Sequence, residues 1–124
     1  MAGRVKRSIA ATKSAQRVVR VEALDHIKGQ FDSYKEKFPG IKESIKIFNE
    51  YKRETPPRQL PASMRDHRLD GPLKAFKECH LDGDVLLLYK HEGDEVLMCY
   101  ICRHEDLHGK RAKQMRAEIK RVMK

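Results

Sequence analysis

The sequence predicts an α+β domain whose helices pack on one side of a mainly antiparallel sheet. Three observations predict it: a β-branched run near residue 20, two stretches of helical apolar spacing after it, and three short strand-like segments beyond residue 73. Residues 17–23 (RVVRVEA) read as the first strand. Asp25 is placed to cap a helix running toward Phe38, with Ile27, Phe31, Tyr34 and Phe38 at helical spacing and Gly29 weakening it slightly. Pro39-Gly40 is a stop signal. A second helix follows, with Ile41, Ile45, Phe48 and Lys52 on one stripe, and Pro56-Pro57 ends it. Residues 55–73 hold Pro56, Pro57, Pro61 and Gly71-Pro72 and read as a long irregular connection, a kind of segment that often carries function.

Three strands then fit at 73–80, 85–90 and 95–101, the last two joined by a hairpin-like turn at 91–94. After His104 the periodicity is helical again, and Ala112, Met115, Ile119 and Val122 form one apolar stripe among basic residues. The predicted order is β-α-α-β-β-β-α. Residues 17–124 form one domain that includes a basic C-terminal helix at about 109–124, and residues 1–16, weakly periodic, read as a mobile basic arm.

The net charge is +9, with a pI near 9.6. It is concentrated at the ends. Residues 1–21 carry six basic side chains and no acidic one, residues 109–124 carry seven against Glu118, and the middle is mildly acidic. Basic ends on an acidic body suit a phosphate backbone or an acidic protein segment. Cys79, Cys99 and Cys102 are too few, and odd in number, for a secreted disulfide framework. No apolar run is long enough to span a membrane, and the N-terminus lacks the apolar core of a secretory signal. The expectation is a cytoplasmic protein with no membrane association. A transit peptide ranks below a basic arm.

His67 precedes the predicted sheet, His80 and Asp84 flank a turn between strands, and His104 follows the last strand. Each histidine alone is more often a surface or core residue. As a set near strand ends they suit RNA cleavage by internal attack. That reaction needs a base for the 2′-hydroxyl, an acid for the departing 5′-oxygen, and a cation for the charge that builds at phosphorus. No cofactor is expected. Zinc is the rival, because Cys99-x-x-Cys102 has knuckle spacing and His104 with His108 is an i, i+4 pair. Two points oppose it. A regular strand would put the two sulfurs on opposite faces, and no second cysteine pair exists. The sequence holds no P-loop and no GxGxxG.

From Leu60 onward the chain resembles the YafQ-type toxins of the RelE superfamily. The matching residues are Leu60-Pro61, Asp66-His67-x-Leu69-x-Gly71, Lys74, Cys79-His80, Asp84, Leu86-Leu87-Leu88-Tyr89-Lys90, and His104 with Leu107. The resemblance implies a RelE-like β-α-α-β-β-β core. It also implies the toxin of a type II toxin–antitoxin system, an mRNA interferase that cleaves messenger RNA in the ribosomal decoding site. Its catalytic residues would be His67, His80, Asp84 and His104. Expected partners are the ribosome, mRNA and a cognate antitoxin, which the +9 charge predicts to be acidic and partly disordered.

Three positions depart from the family: Val85 stands where it has Trp, Tyr100 where it has Arg, and His108 where it has Phe. A phenol lacks the charge and the fork of a guanidinium, so Tyr100 implies a slower enzyme. The candidate RNA- or phosphate-binding residues are Lys74, Lys77, Tyr100, Arg103 and His108. The alternative reading is a non-catalytic RNA- or ribosome-binding module on the same fold.

Overall fold

In the computed structural model residues 20–54 and 58–122 are described. The expected arm at 1–16, the start of the first strand at 17–19 and the Pro56-Pro57 stop lie outside them. Five strands form one sheet in the order β1-β5-β4-β3-β2. They are β1 (Arg20–Ala23), β2 (His67–Arg68), β3 (Lys77–Asp82), β4 (Val85–Glu92) and β5 (Glu95–Arg103). β1 runs parallel to β5, and every other pairing is antiparallel. Helices α1 (His26–Tyr34) and α2 (Gly40–Lys52) follow β1, and α3 (His104–His108) and α4 (Ala112–Val122) follow β5.

β4 explains the layering. Val85, Leu86, Leu87, Leu88 and Tyr89 are all buried. Successive side chains of a strand point to opposite faces, so a run without polar residues needs cover on both. Val85, Leu87 and Tyr89 enter a core with Ile27 of α1 and Ile41 and Phe48 of α2. Phe48 meets Tyr89 edge-on, with ring centroids 4.9 Å apart. Leu86 and Leu88 enter a second core with Leu107 of α3 and Ile119 of α4. The expected one-sided packing therefore holds for α1 and α2, while the C-terminal helices close over the opposite face.

The ends of the elements have local causes. Asp25 makes no side-chain cap to α1, which ends at Tyr34 rather than Phe38. The first N–H of α2 is capped from across the fold: Gly40 N–H donates to the Asp82 carboxylate at 2.9 Å. A Cβ on Gly40 would lie 2.9 Å from that carboxylate, so any larger residue there would push the Asp82 side chain aside. Gly71-Pro72 forms a 3-10 turn over Gly71–Leu73, which delays β3 to Lys77. The hairpin between β4 and β5 is tighter than expected, with Gly93 at φ 58 and both strands running up to a two-residue turn.

β5 is irregular at Cys99. Leu88 pairs with Tyr100 but Tyr89 pairs with Met98, so Cys99 is an extra residue in the ladder. This bulge shifts the alternation, and Cys99, Tyr100 and Cys102 all belong to the second core. The expectation that the two sulfurs face opposite ways is thus overturned. Both thiols are nevertheless buried, and burial pushes the Cys99 pKa up to about 11 and raises that of Cys102 as well. They are small core residues rather than reactive thiolates.

The connection before β3 is tied down at Asp66. Its carboxylate accepts from the Tyr89 hydroxyl and pairs with Lys77 at 3.4 Å and Lys52 at 3.8 Å. Lys52 is only 4% exposed, and burial lowers its pKa against the opposing pull of Asp66. Replacing Asp66 with alanine would leave a buried ammonium and a phenol without their acceptor. Asp66→Ala should therefore cost about 3–5 kcal/mol, read as a lower urea midpoint.

Candidate active site

On the sheet face opposite α1 and α2, one row crosses the strands. His67 of β2 lies opposite Glu78 of β3, Glu78 opposite Leu88 of β4, and Leu88 opposite Tyr100 of β5. The next row is His80, Leu86 and Cys102. Glu78 and His80 are two residues apart on one strand, so they share a face. This alternation places two histidines and a carboxylate beside an apolar floor.

Glu78 organises the group. It is 2% exposed, and its Oε2 lies 2.9 Å from Nε2 of His67 and 3.8 Å from Nε2 of His80. Its Oε1 is buried and makes no hydrogen bond among the described residues. A buried carboxylate is costly unless cations or donors face it, and here two imidazoles do. His67 also directs Nδ1 at the Arg68 carbonyl, 3.2 Å away. Both of its ring nitrogens thus face acceptors. His67 is half exposed and His80 mostly covered.

Asp84, Arg103 and His104 meet at the adjoining end of the sheet. Arg103 grips Asp84 with Nε 3.2 Å from each carboxylate oxygen and Nη2 3.1 Å from Oδ2. The pairing raises the Arg103 pKa. The guanidinium also lies 5.5 Å over the Phe38 ring. His104 begins α3, and its backbone N–H donates to the Asp84 carbonyl at 2.7 Å. Its ring is exposed and tilts against His108 with centroids 4.4 Å apart. Among the described residues no hydrogen bond or ion pair joins this group to the His67–Glu78–His80 group.

The expected phosphate-binding residues are dispersed. Lys77 faces the α2 side and pairs with Asp66 there, because it is one residue out of phase with Glu78 and His80. Lys74 is exposed after the 3-10 turn. Arg103 is engaged by Asp84, and His108 by stacking on His104. Tyr100 is 6% exposed beneath α4, and its hydroxyl donates to Glu118 at 2.5 Å. It therefore clamps the C-terminal helix instead of presenting a free donor. Burial and the Glu118 carboxylate raise its pKa.

Glu78 was not among the residues expected from sequence. Its signal was parity: Phe76, Glu78 and His80 alternate along one face, and a charge there has to meet a partner. Among the described residues no group of three or more His, Cys, Asp or Glu side chains is placed to hold a metal ion. Among them, too, no helix is long and apolar enough to cross a membrane.

The same architecture recurs in known toxins. The toxin of the Escherichia coli DinJ–YafQ toxin–antitoxin complex superposes with a TM-score of 0.60 at 21% identity, covering 73% of this chain and 99% of that one. A metal-bound toxin from Helicobacter pylori does so with a TM-score of 0.58 at 23% identity, covering 72% and 98%. At these identities the likeness is one of fold. A protein of Haemophilus influenzae described as a YafQ toxin is 41% identical over 32 residues, an alignment spanning 26% of this chain and 31% of that relative. The model of the bacterial YafQ toxins of type II toxin–antitoxin systems matches residues 19–109, the span from the first strand to the end of α3. The chain therefore belongs to the YafQ family of type II toxin–antitoxin toxins.

Proposed function

We propose that the protein is a ribosome-dependent endoribonuclease that cleaves messenger RNA in the decoding site by metal-independent acid–base chemistry. The observation that carries this reading is the buried Glu78 shared by His67 and His80 on an accessible sheet face. In internal cleavage a base takes the 2′-hydroxyl proton, and the 2′-oxygen attacks phosphorus. The bond to the 5′-oxygen breaks, and an acid gives that oxygen a proton. The products are a cyclic phosphate and a 5′-hydroxyl. His67, whose two nitrogens both face acceptors, is suited to donate, and it leaves His80 as the base. Glu78 orients both rings and stabilises the imidazolium that forms. Asp84 and His104, at the adjoining edge, fix the loop and the start of α3 around the substrate path. A site this sparse depends on the ribosome to position the RNA.

The second reading is a non-catalytic RNA- or ribosome-binding module. The observation that favours it is the engagement of Tyr100 by Glu118 and of Arg103 by Asp84, which leaves neither in position to hold a phosphorane. Under either reading the protein acts in the cytoplasm. Its antitoxin is an acidic, partly disordered protein drawn by charge complementarity to basic surface outside α4, in keeping with the partnership named in the DinJ–YafQ complex.

On programmed ribosomes His80→Ala should lower single-turnover cleavage by about 10²–10⁴-fold, the usual contribution of a positioned acid or base. Glu78→Gln should lower it less, with little change in thermal unfolding. A folded His80→Ala variant that cuts at the parent rate would remove His80 from the mechanism. Absence of cleavage by the parent, with ribosome binding retained, would favour the module. Antitoxin binding should weaken as salt rises past the range where screening is strong, with a Debye length of about 8 Å at physiological ionic strength. Titration calorimetry at low and high salt checks this, and a salt-insensitive complex would contradict it.

A further inference from the structure

We propose that α4 is a rigid second contact surface for the phosphodiester backbone of structured RNA. This inference rests on the RNA-directed reading above. The helix lies beyond residue 109, where the family match ends, so the family core does not account for it.

Three anchors fix its inner side. Ile119 is 0% exposed in the core above Leu86 and Leu88. Glu118 accepts from the Tyr100 hydroxyl at 2.5 Å. Arg116 Nη1 donates to the Leu107 carbonyl at 3.2 Å, which ties α4 to α3. A helix held at these points is not a loose basic tail. Any ligand of its outer side meets charges that are already in register, and little ordering entropy is lost.

The outer side has a definite chemistry. At 100° per residue, Ala117 lies opposite the buried edge formed by Ala112, Met115 and Ile119, and Lys113, Lys120 and Arg121 flank it. All four are exposed, as are Lys110 and Arg111 just before the helix. Glu118, the one acid of the helix, is turned to Tyr100 and lies 3.9 Å from Arg121. A small residue at the centre, with cations on both sides, lets a backbone approach closely while its phosphates are neutralised.

The face offers no aromatic or large aliphatic side chain. Protein interfaces draw their affinity from such anchors, so a polyanionic backbone fits better than a folded or acidic protein. Helical order in the ligand suits a rigid row of charge better than a flexible single strand does.

The test uses the full chain and a blunt RNA duplex of two helical turns, followed by fluorescence anisotropy over a salt series. The parent should bind with a steep salt dependence. Lys113→Gln, Lys120→Gln and Arg121→Gln combined should weaken binding by about tenfold or more at roughly 0.1 M salt. They should also flatten the logarithmic salt slope by about 2 to 3. Ala117→Glu, which touches no core residue, should weaken binding on its own. Circular dichroism establishes that α4 remains folded in each variant.

Parent-like affinity and slope in the folded triple variant would overturn the proposal. So would displacement of the duplex by a polyglutamate peptide whose own binding depends on the same three residues, since that assigns the surface to an acidic protein. Message cleavage by the parent, measured in parallel, tests the ribonuclease reading separately. Duplex binding that depends on α4 without cleavage would sink that reading alone, and cleavage without such binding would sink this inference alone.

Discussion

The fold turns on a strand that has no polar side. From Val85 to Tyr89 every residue of β4 is apolar or aromatic and buried. Such a strand is unstable unless both faces of the sheet are covered. α1 and α2 cover one face from the N-terminal half of the chain. α3 and α4 cover part of the other, and on the remainder His67 and His80 flank the buried Glu78. The candidate site is thus the flank of a core, with a wall of C-terminal helix and a floor of β4 leucines. This placement gives the carboxylate a low-dielectric bed, in which its hold on the two imidazoles is strengthened.

Two distant ties keep that geometry. Asp82 on β3 caps α2 through Gly40, so the strand that carries Glu78 and His80 is indexed to the helical layer. Asp66 binds Tyr89, Lys77 and Lys52, so the residue before His67 is indexed to β4 and α2. Each tie is a charged acceptor meeting a backbone or side-chain donor at the edge of the core, where such bonds are strongest. His67 and His80 reach Glu78 from two strands whose relative position these bonds fix.

Much of the fold was legible in the sequence. The periodicities of α1, α2 and α4 and the three short strand-like segments beyond residue 73 gave element type and order, and the family motifs gave the core topology. The missed parts have physical reasons. β2 is two residues long and carries no period. The bulge at Cys99 has no marker such as glycine, and it inverts the alternation on which the argument about the sulfurs rested. The double-sided layering was readable in the unbroken Val-Leu-Leu-Leu-Tyr run, which an amphipathic strand under a one-sided helical layer would not show. His67 and His80 were found as residue types, but the link between them was not, because Glu78 joins them through cross-strand register and register depends on tertiary pairing. The clamp of Tyr100 by Glu118 lay out of reach for the same reason.

The proposed cleavage uses the substrate's own 2′-hydroxyl. The most direct measurement places on the ribosome two messages that differ only by a single 2′-deoxy substitution at the mapped cut site, with chelator present. The account predicts that the ribose message is cut to a cyclic phosphate and a 5′-hydroxyl end, and that the deoxy message stays whole. Cleavage of the deoxy message, or no cleavage of either by folded protein bound to the ribosome, would contradict it.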